Sequence, residues 1–141
     1  NMAFSSDFIV GFPGETKQAF NNTLKLVHDV NYCQAYSFKY SRRPGTPGSI
    51  LQGQVSEEVK TERLAELQNI LNEQQLNFNR KFIGQKFDIL LERKGKKDNQ
   101  LVGKSPYMQA VHVLSKDHNI GDIIKTHILD ADKNSLEGNY E

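Results

Sequence analysis

The sequence predicts an α/β segment built on a parallel sheet, followed by a small all-β barrel. Three observations carry that prediction. Residues 6–40 read as strand, helix, strand. A long amphipathic run extends from Ser56 to about Arg80. Past Ile83-Gly84, five short β-rich runs fill the last stretch of about sixty residues, parted by Gly, Asn, Asp and Lys.

The first strand is Ser6-Asp7-Phe8-Ile9-Val10-Gly11, a short apolar run stopped by Gly11-Phe12-Pro13-Gly14, where two glycines flank a proline. Thr16 then stands as an N-cap before apolar residues at Ala19, Phe20, Leu24, Val27 and Val30, so a helix is predicted from about Thr16 to Val30. Tyr32 to Tyr40 returns to β-type residues, with Tyr36, Phe38 and Tyr40 at period two. Ser41 to Gly48 holds four Pro/Gly in eight residues and is expected to be irregular.

The long helix opens at Ser56-Glu57-Glu58-Val59, a cap with acid in the first turn. Its buried stripe is Val59, Leu64, Leu67, Ile70, Leu71 and Leu76. The five later runs are Gln85–Glu92, Gln100–Lys104, Ala110–Leu114, Ile123–Leu129 and Leu136–Tyr140. Strands this short and numerous point to a closed or nearly closed barrel, which leaves no long unpaired edge. Two domains follow, residues 1–79 and residues 80–141.

Composition sets the class. Hydrophobic residues are 37% and charged residues 25% of 141 residues, as in globular proteins, and no apolar run approaches the ~20 residues of a membrane helix. The one cysteine, Cys33, excludes an internal disulfide, cannot alone hold a zinc or an iron–sulfur cluster, and fits a reducing cytoplasm. Asn1-Met2-Ala3-Phe4 has no signal-peptide pattern and reads as the middle of a domain, so further sequence is expected upstream. Net charge is +1, with the slight basic excess in residues 80–141, where 11 Lys/Arg face 9 Asp/Glu; any basic footprint must be local.

Two places invite ligands. Gly11-Phe12-Pro13-Gly14-Glu15-Thr16 leaves a strand end and enters a helix, and Ser41 to Gly48 leaves the next strand on the same side of a parallel sheet. Free N–H groups in the first loop and Arg42 and Arg43 in the second suit a polar or anionic ligand, although glycines and prolines also shape turns with no ligand at all. In the second half, Arg93-Lys94-Gly95-Lys96-Lys97 reads as a basic hairpin tip, with Lys104, Tyr107 and His112 on the segments after it. Cations beside a ring are what RNA-binding barrels use; lysine-rich turns also keep a β-edge soluble, and the residues alone leave both readings open. His28, His118 and His127 are scattered, and no catalytic set can be assembled.

Several segments together resemble one family. Ser6 to Thr16, and Ala35-Tyr36-Ser37-Phe38-Lys39-Tyr40-Ser41-Arg42-Arg43-Pro44-Gly45-Thr46-Pro47, resemble the late barrel strands of the radical-SAM methylthiotransferases. The Arg43-Pro44-Gly45-Thr46 form is similar to the branch acting on isopentenylated adenosine beside the tRNA anticodon. Ile83-Gly84, Leu101-Val102-Gly103-Lys104 and Ser135-Leu136-Glu137-Gly138 resemble a TRAM domain, the family's RNA-binding module. Where the family reads Ser-Pro-Arg-Pro-Gly-Thr, this chain has Arg42 in place of the first proline. Ser105 to Ala110 departs from the Asn- and Arg-bearing segment common in TRAM barrels.

The resemblance implies the C-terminal portion of a radical-SAM β/α barrel followed by a five-stranded antiparallel TRAM β-barrel. It implies S-adenosylmethionine and two 4Fe-4S clusters in the parent enzyme, with the cluster cysteines in upstream segments of the same protein; none is expected to bind this stretch alone, which by itself is not catalytic. Gly11, Phe12, Pro13, Gly14, Glu15, Tyr40, Arg43 and Thr46 match the cofactor-side loops, and Arg93, Lys94, Lys96, Lys97, Lys104, Tyr107 and His112 are the RNA-contact candidates. The expected partner is tRNA, with no membrane. A non-catalytic, stand-alone RNA-binding module is the alternative reading.

Overall fold

Parallel pairing, set by a helical crossover, organises the first part of the chain. The structure, a computed structural model, describes residues 2–140. Strand β1 (Ser5–Val10) pairs in parallel with β2 (Gln34–Lys39) through the helix α1 (Lys17–Val30). Thr16 caps α1 as its spacing predicts, its hydroxyl oxygen accepting the Ala19 N–H at 3.1 Å. Asn31, at φ 59°, closes the other end in the left-handed conformation that Asn tolerates, its N–H bonded to the Val27 carbonyl. Phe8 and Val10 face Phe20 and Val27 of α1, and Leu67 and Leu71 of the long helix α3 (Glu57–Arg80) complete this core. The opposite sheet face is open: Ile9, Tyr36 and Phe38 are each more than half exposed.

The expected irregular loop after β2 holds one short helix, α2 (Pro47–Ile50), with proline at its first turn, where a missing N–H costs nothing. The chain divides into two compact units between Gln74 and Gln75, inside α3. Phe78 and Asn79, on the last turn of α3, pack with the second unit.

That second unit is a closed barrel of β3 (Lys86–Lys94), β4 (Gln100–Lys104), β5 (Ala110–Leu114), β6 (Ile123–Ala131) and β7 (Ser135–Tyr140), in the order β3-β4-β5-β7-β6 and back to β3. Alternation fills it: Ile89, Leu91, Leu101, Val111, Val113, Ile124, Ile128 and Leu136 point inward and are buried. The expectation of a fully antiparallel barrel is corrected here, because β5 and β7 pair in parallel, Val111 opposite Leu136. The reason is parity: a ring with an odd number of strands cannot alternate direction all the way round, so five strands need at least one parallel seam. Small circumference also demands glycine where strands crowd. A Cβ on Gly103 would run into β3 at Ile89 and Leu90, and one on Gly138 into Thr126 and His127 of β6.

Candidate nucleic-acid interface and strand-end loops

The β3–β4 hairpin carries the basic cluster, and a neutral side chain shapes it. A bulge between Leu91 and Arg93 turns the end of β3, and Gly95 N–H closes the loop onto the Gln100 carbonyl at 2.7 Å. Gln100 then reaches back into the loop, where its Oε1 accepts the N–H groups of Lys96 at 3.0 Å and Lys97 at 3.3 Å. With their backbone donors satisfied from inside, the two lysines turn their side chains to solvent. Arg93, Lys94, Lys96 and Lys97 are all exposed, and among the described residues none of them is ion-paired. His112 on β5 lies within the same region: with Lys96, Lys97, Asp130 and Glu137 it lines a concavity of about 340 Å³ beside the tip.

Lys104 and Tyr107 lie elsewhere, at the other end of β4. About 13 Å of strand separates Gln100 from Lys104 at the usual rise. Lys104 donates from Nζ to the Met108 carbonyl at 3.2 Å. The Tyr107 ring stands in an aromatic cluster, 5.0 Å from Phe82, 5.9 Å from Phe78 and 6.3 Å from Phe87 by centroids.

The segment that departs from the family pattern, Ser105 to Ala110, is a structural clasp. Buried Ser105 bonds through its hydroxyl to Gln109 Oε1 at 2.8 Å and accepts the N–H groups of Tyr107 and Gln109. Gln109 Nε2 donates to Asn79 Oδ1 at 2.7 Å, and Asn79, 2% exposed, donates to the Asp132 carbonyl at 2.8 Å. The end of α3 is thereby tied to two barrel turns. Nothing in the sequence marks Asn79 or Gln109 for this, since each looks like one more polar residue.

In the first unit, the two strand-end loops share one rim, as parallel register requires. Tyr40 N–H continues the ladder to the Val10 carbonyl at 2.8 Å, and the Phe12 and Tyr40 rings meet edge to face at 5.1 Å. Gly11 adopts φ 73°, and its missing Cβ leaves room for the stem of Lys60. Glu15 is occupied within the fold: its Oε1 accepts the Gly11 N–H at 2.9 Å and Arg63 Nη1 at 2.6 Å. Gly14 N–H bonds to the Gly53 carbonyl at 2.8 Å, and Pro13 is buried.

Two cations from α3 hold these loops from below, and the sequence hides both. Lys60 is 5% exposed, donates to the Tyr40 carbonyl at 3.2 Å, pairs with Glu57, and lies 5.8 Å from the Tyr40 ring centroid. Arg63 clasps Glu15 and stacks 5.5 Å from the Phe20 centroid. Arg42 Nε donates to the Ser49 carbonyl at 2.6 Å. Arg43 and Thr46 remain exposed, with the Thr46 hydroxyl donating to the Arg43 carbonyl at 2.7 Å. The Tyr40 hydroxyl is buried and, among the described residues, is the one buried side-chain polar atom with no hydrogen-bond partner.

Among the described residues, no helix is long and apolar enough to cross a membrane. Comparison with known proteins gives two findings. Residues 80–140 match the TRAM domain family. Nearly the whole chain also aligns with proteins named tRNA-2-methylthio-N(6)-dimethylallyladenosine synthase. Identity is 57% over 137 residues for that of Wolbachia pipientis subsp. Culex pipiens, covering 96% of this chain and 31% of the relative. It is 48% over 140 residues for that of Ehrlichia ruminantium strain Gardel, covering 98% and 32%. The chain spans about a third of the length of the curated relatives it matches.

Proposed function

We propose, on the premise that this chain is homologous over nearly its full length to tRNA-2-methylthio-N(6)-dimethylallyladenosine synthases and carries a TRAM domain at residues 80–140, that it is the tRNA-holding and barrel-rim part of a methylthiotransferase acting in the cytoplasm on isopentenylated adenosine beside the anticodon. The carrying observation is the hairpin tip. Arg93, Lys94, Lys96 and Lys97 are exposed and, among the described residues, not ion-paired, on a loop whose backbone is ordered by Gln100. Such a loop suits phosphate contacts, because the backbone carrying the charges is held while the charges themselves stay unneutralised. His112 extends the proposed RNA surface beside the tip; Lys104 and Tyr107, at the far end of β4, would form a separate contact.

The first unit fits the end of a larger β/α barrel. Its sheet has a helix on one face and leaves Ile9, Tyr36 and Phe38 uncovered on the other, as strands do when their neighbours are elsewhere. On its rim, the unmet Tyr40 hydroxyl, the half-exposed Phe12 ring and the exposed Arg43 guanidinium fit a ligand with an aromatic group and a carboxylate. They would hold part of S-adenosylmethionine; Gly11, Pro13, Gly14, Glu15 and Thr46 shape the rim. When bound with its iron–sulfur cluster, that cofactor supplies radical chemistry. Cys33 alone cannot ligate a cluster, so the cluster ligands belong to other segments of the parent protein.

The test is tRNA binding by the chain as a function of salt. Log affinity is expected to fall linearly with log salt, and replacing Arg93, Lys94, Lys96 and Lys97 together by Ala is expected to weaken binding and to reduce the slope by about 0.7–0.9 for each phosphate no longer neutralised. No binding, or an unchanged slope in the fourfold variant, would overturn the assignment.

A further inference from the structure

The hairpin tip is only one wall of a cleft. A concavity of about 400 Å³ opens between the loop 95–99 and the loop 115–118, lined by Lys94, Lys96 and Lys97 on one side and by Ser115, Lys116 and His118 on the other. Ser115 N–H bonds to the Asn99 carbonyl at 2.8 Å, so the two loops are fastened to each other. Among the described residues, Asp98 is the sole carboxylate lining this space, against four lysines.

The second wall is built, not incidental. His118 stands edge-on to the Tyr140 ring at 4.7 Å, and its Nδ1 lies 2.8 Å from the Ser115 hydroxyl. Ser115 is 7% exposed, and its oxygen already accepts the Asp117 N–H at 3.3 Å. If the Ser115 hydroxyl donates to Nδ1, the ring proton resides on Nε2. The ring, held by two contacts on its other side, then presents an N–H donor next to Lys116.

Resting on the RNA-binding reading above, we propose that the loop 115–118 is the second half of the RNA site: one strand of RNA lies in this cleft, with a phosphate oxygen accepting from His118 Nε2 and Lys116 supplying charge opposite the tip lysines. Ser115 is a positioning residue, which sets the tautomer. The cleft recognises the phosphodiester backbone, so it is indifferent to base sequence.

Binding of the full chain to tRNA, measured across a salt series, tests the assignment. Lys116→Ala is expected to reduce the salt slope by about 0.7–0.9. His118→Phe keeps a ring against Tyr140 but has no N–H, and is expected to lower affinity about fivefold at every salt concentration. Ser115→Ala should give a smaller decrease in the same direction. If Lys116→Ala and His118→Phe bind like the parent chain while the fourfold tip variant is weakened, the cleft is one-sided and this proposal fails, with RNA binding by the tip intact. If the tip variant is also unaffected, the RNA-binding reading falls and takes this one with it. Melting curves like the parent's for each variant assign any weakening to the interface; a variant that fails to fold is replaced by Lys116→Gln or His118→Tyr, judged by the same outcomes.

Discussion

Arg63 grips Glu15 twice with one nitrogen: Nη1 donates to the carboxylate at 2.6 Å and to the residue's own carbonyl at 2.9 Å. Both side chains are 13% exposed, so the pair is largely shielded from water, and the same carboxylate oxygen holds the Gly11 N–H. Arg63→Met leaves a nearly buried carboxylate with only that N–H. It should destabilise the first unit by about 3 kcal/mol, as broken buried pairs do. Urea unfolding followed through residues 2–74 reads the change; a midpoint unchanged from the parent chain would mean that the loop is held by its backbone alone.

Glu57 links stability to acid. Hydrogen bonds from Lys60, and then from Lys39, hold its carboxyl below the ordinary carboxylate range. A group with a depressed folded pKa contributes stability that is present above its unfolded pKa and lost as pH falls through its folded one. Glu57→Gln should therefore flatten the decline of the melting temperature between about pH 5 and pH 3. Parallel declines in parent and variant would show that the acid response comes from other carboxylates.

Tyr107 links the turn after β4 to the barrel's aromatic cluster through Phe78, Phe82 and Phe87. Removing the ring in Tyr107→Ala should cost about 3 kcal/mol, while Tyr107→Phe, which retains the ring packing, should unfold within about 1 kcal/mol of the parent. Guanidinium unfolding of the full chain separates the two. A mild alanine variant would mean that the ring adds little to the barrel's core.

What the sequence made legible was whatever depends on neighbours along the chain. Thr16 as a cap, the α1 stripe through Phe20 and Val27, and the five barrel strands all follow local periodicity, and they appear within one or two residues of expectation at most ends. Pairing direction was not legible in the same way. The parallel β5–β7 seam follows from ring closure, which no window of ten residues contains. Lys60 and Arg63 were hidden for a related reason: on a helix, a cation beside a leucine stripe looks solvated until a second element arrives over it. Gln100, Asn79 and Gln109 are the same case with amides, whose partners lie on other turns.

Closure of the barrel bears on why the lysines are there at all. In an open sheet, cationic residues at a rim have a housekeeping explanation, because they deter a second chain from zipping onto free amides. Here β3 is bonded to β4 on one flank and to β6 on the other, and every strand of the ring is similarly flanked. There is no seam to guard. Lysines on such a surface are not explained by a need to block strand addition, which leaves their charge free for the contact with an anionic polymer proposed above.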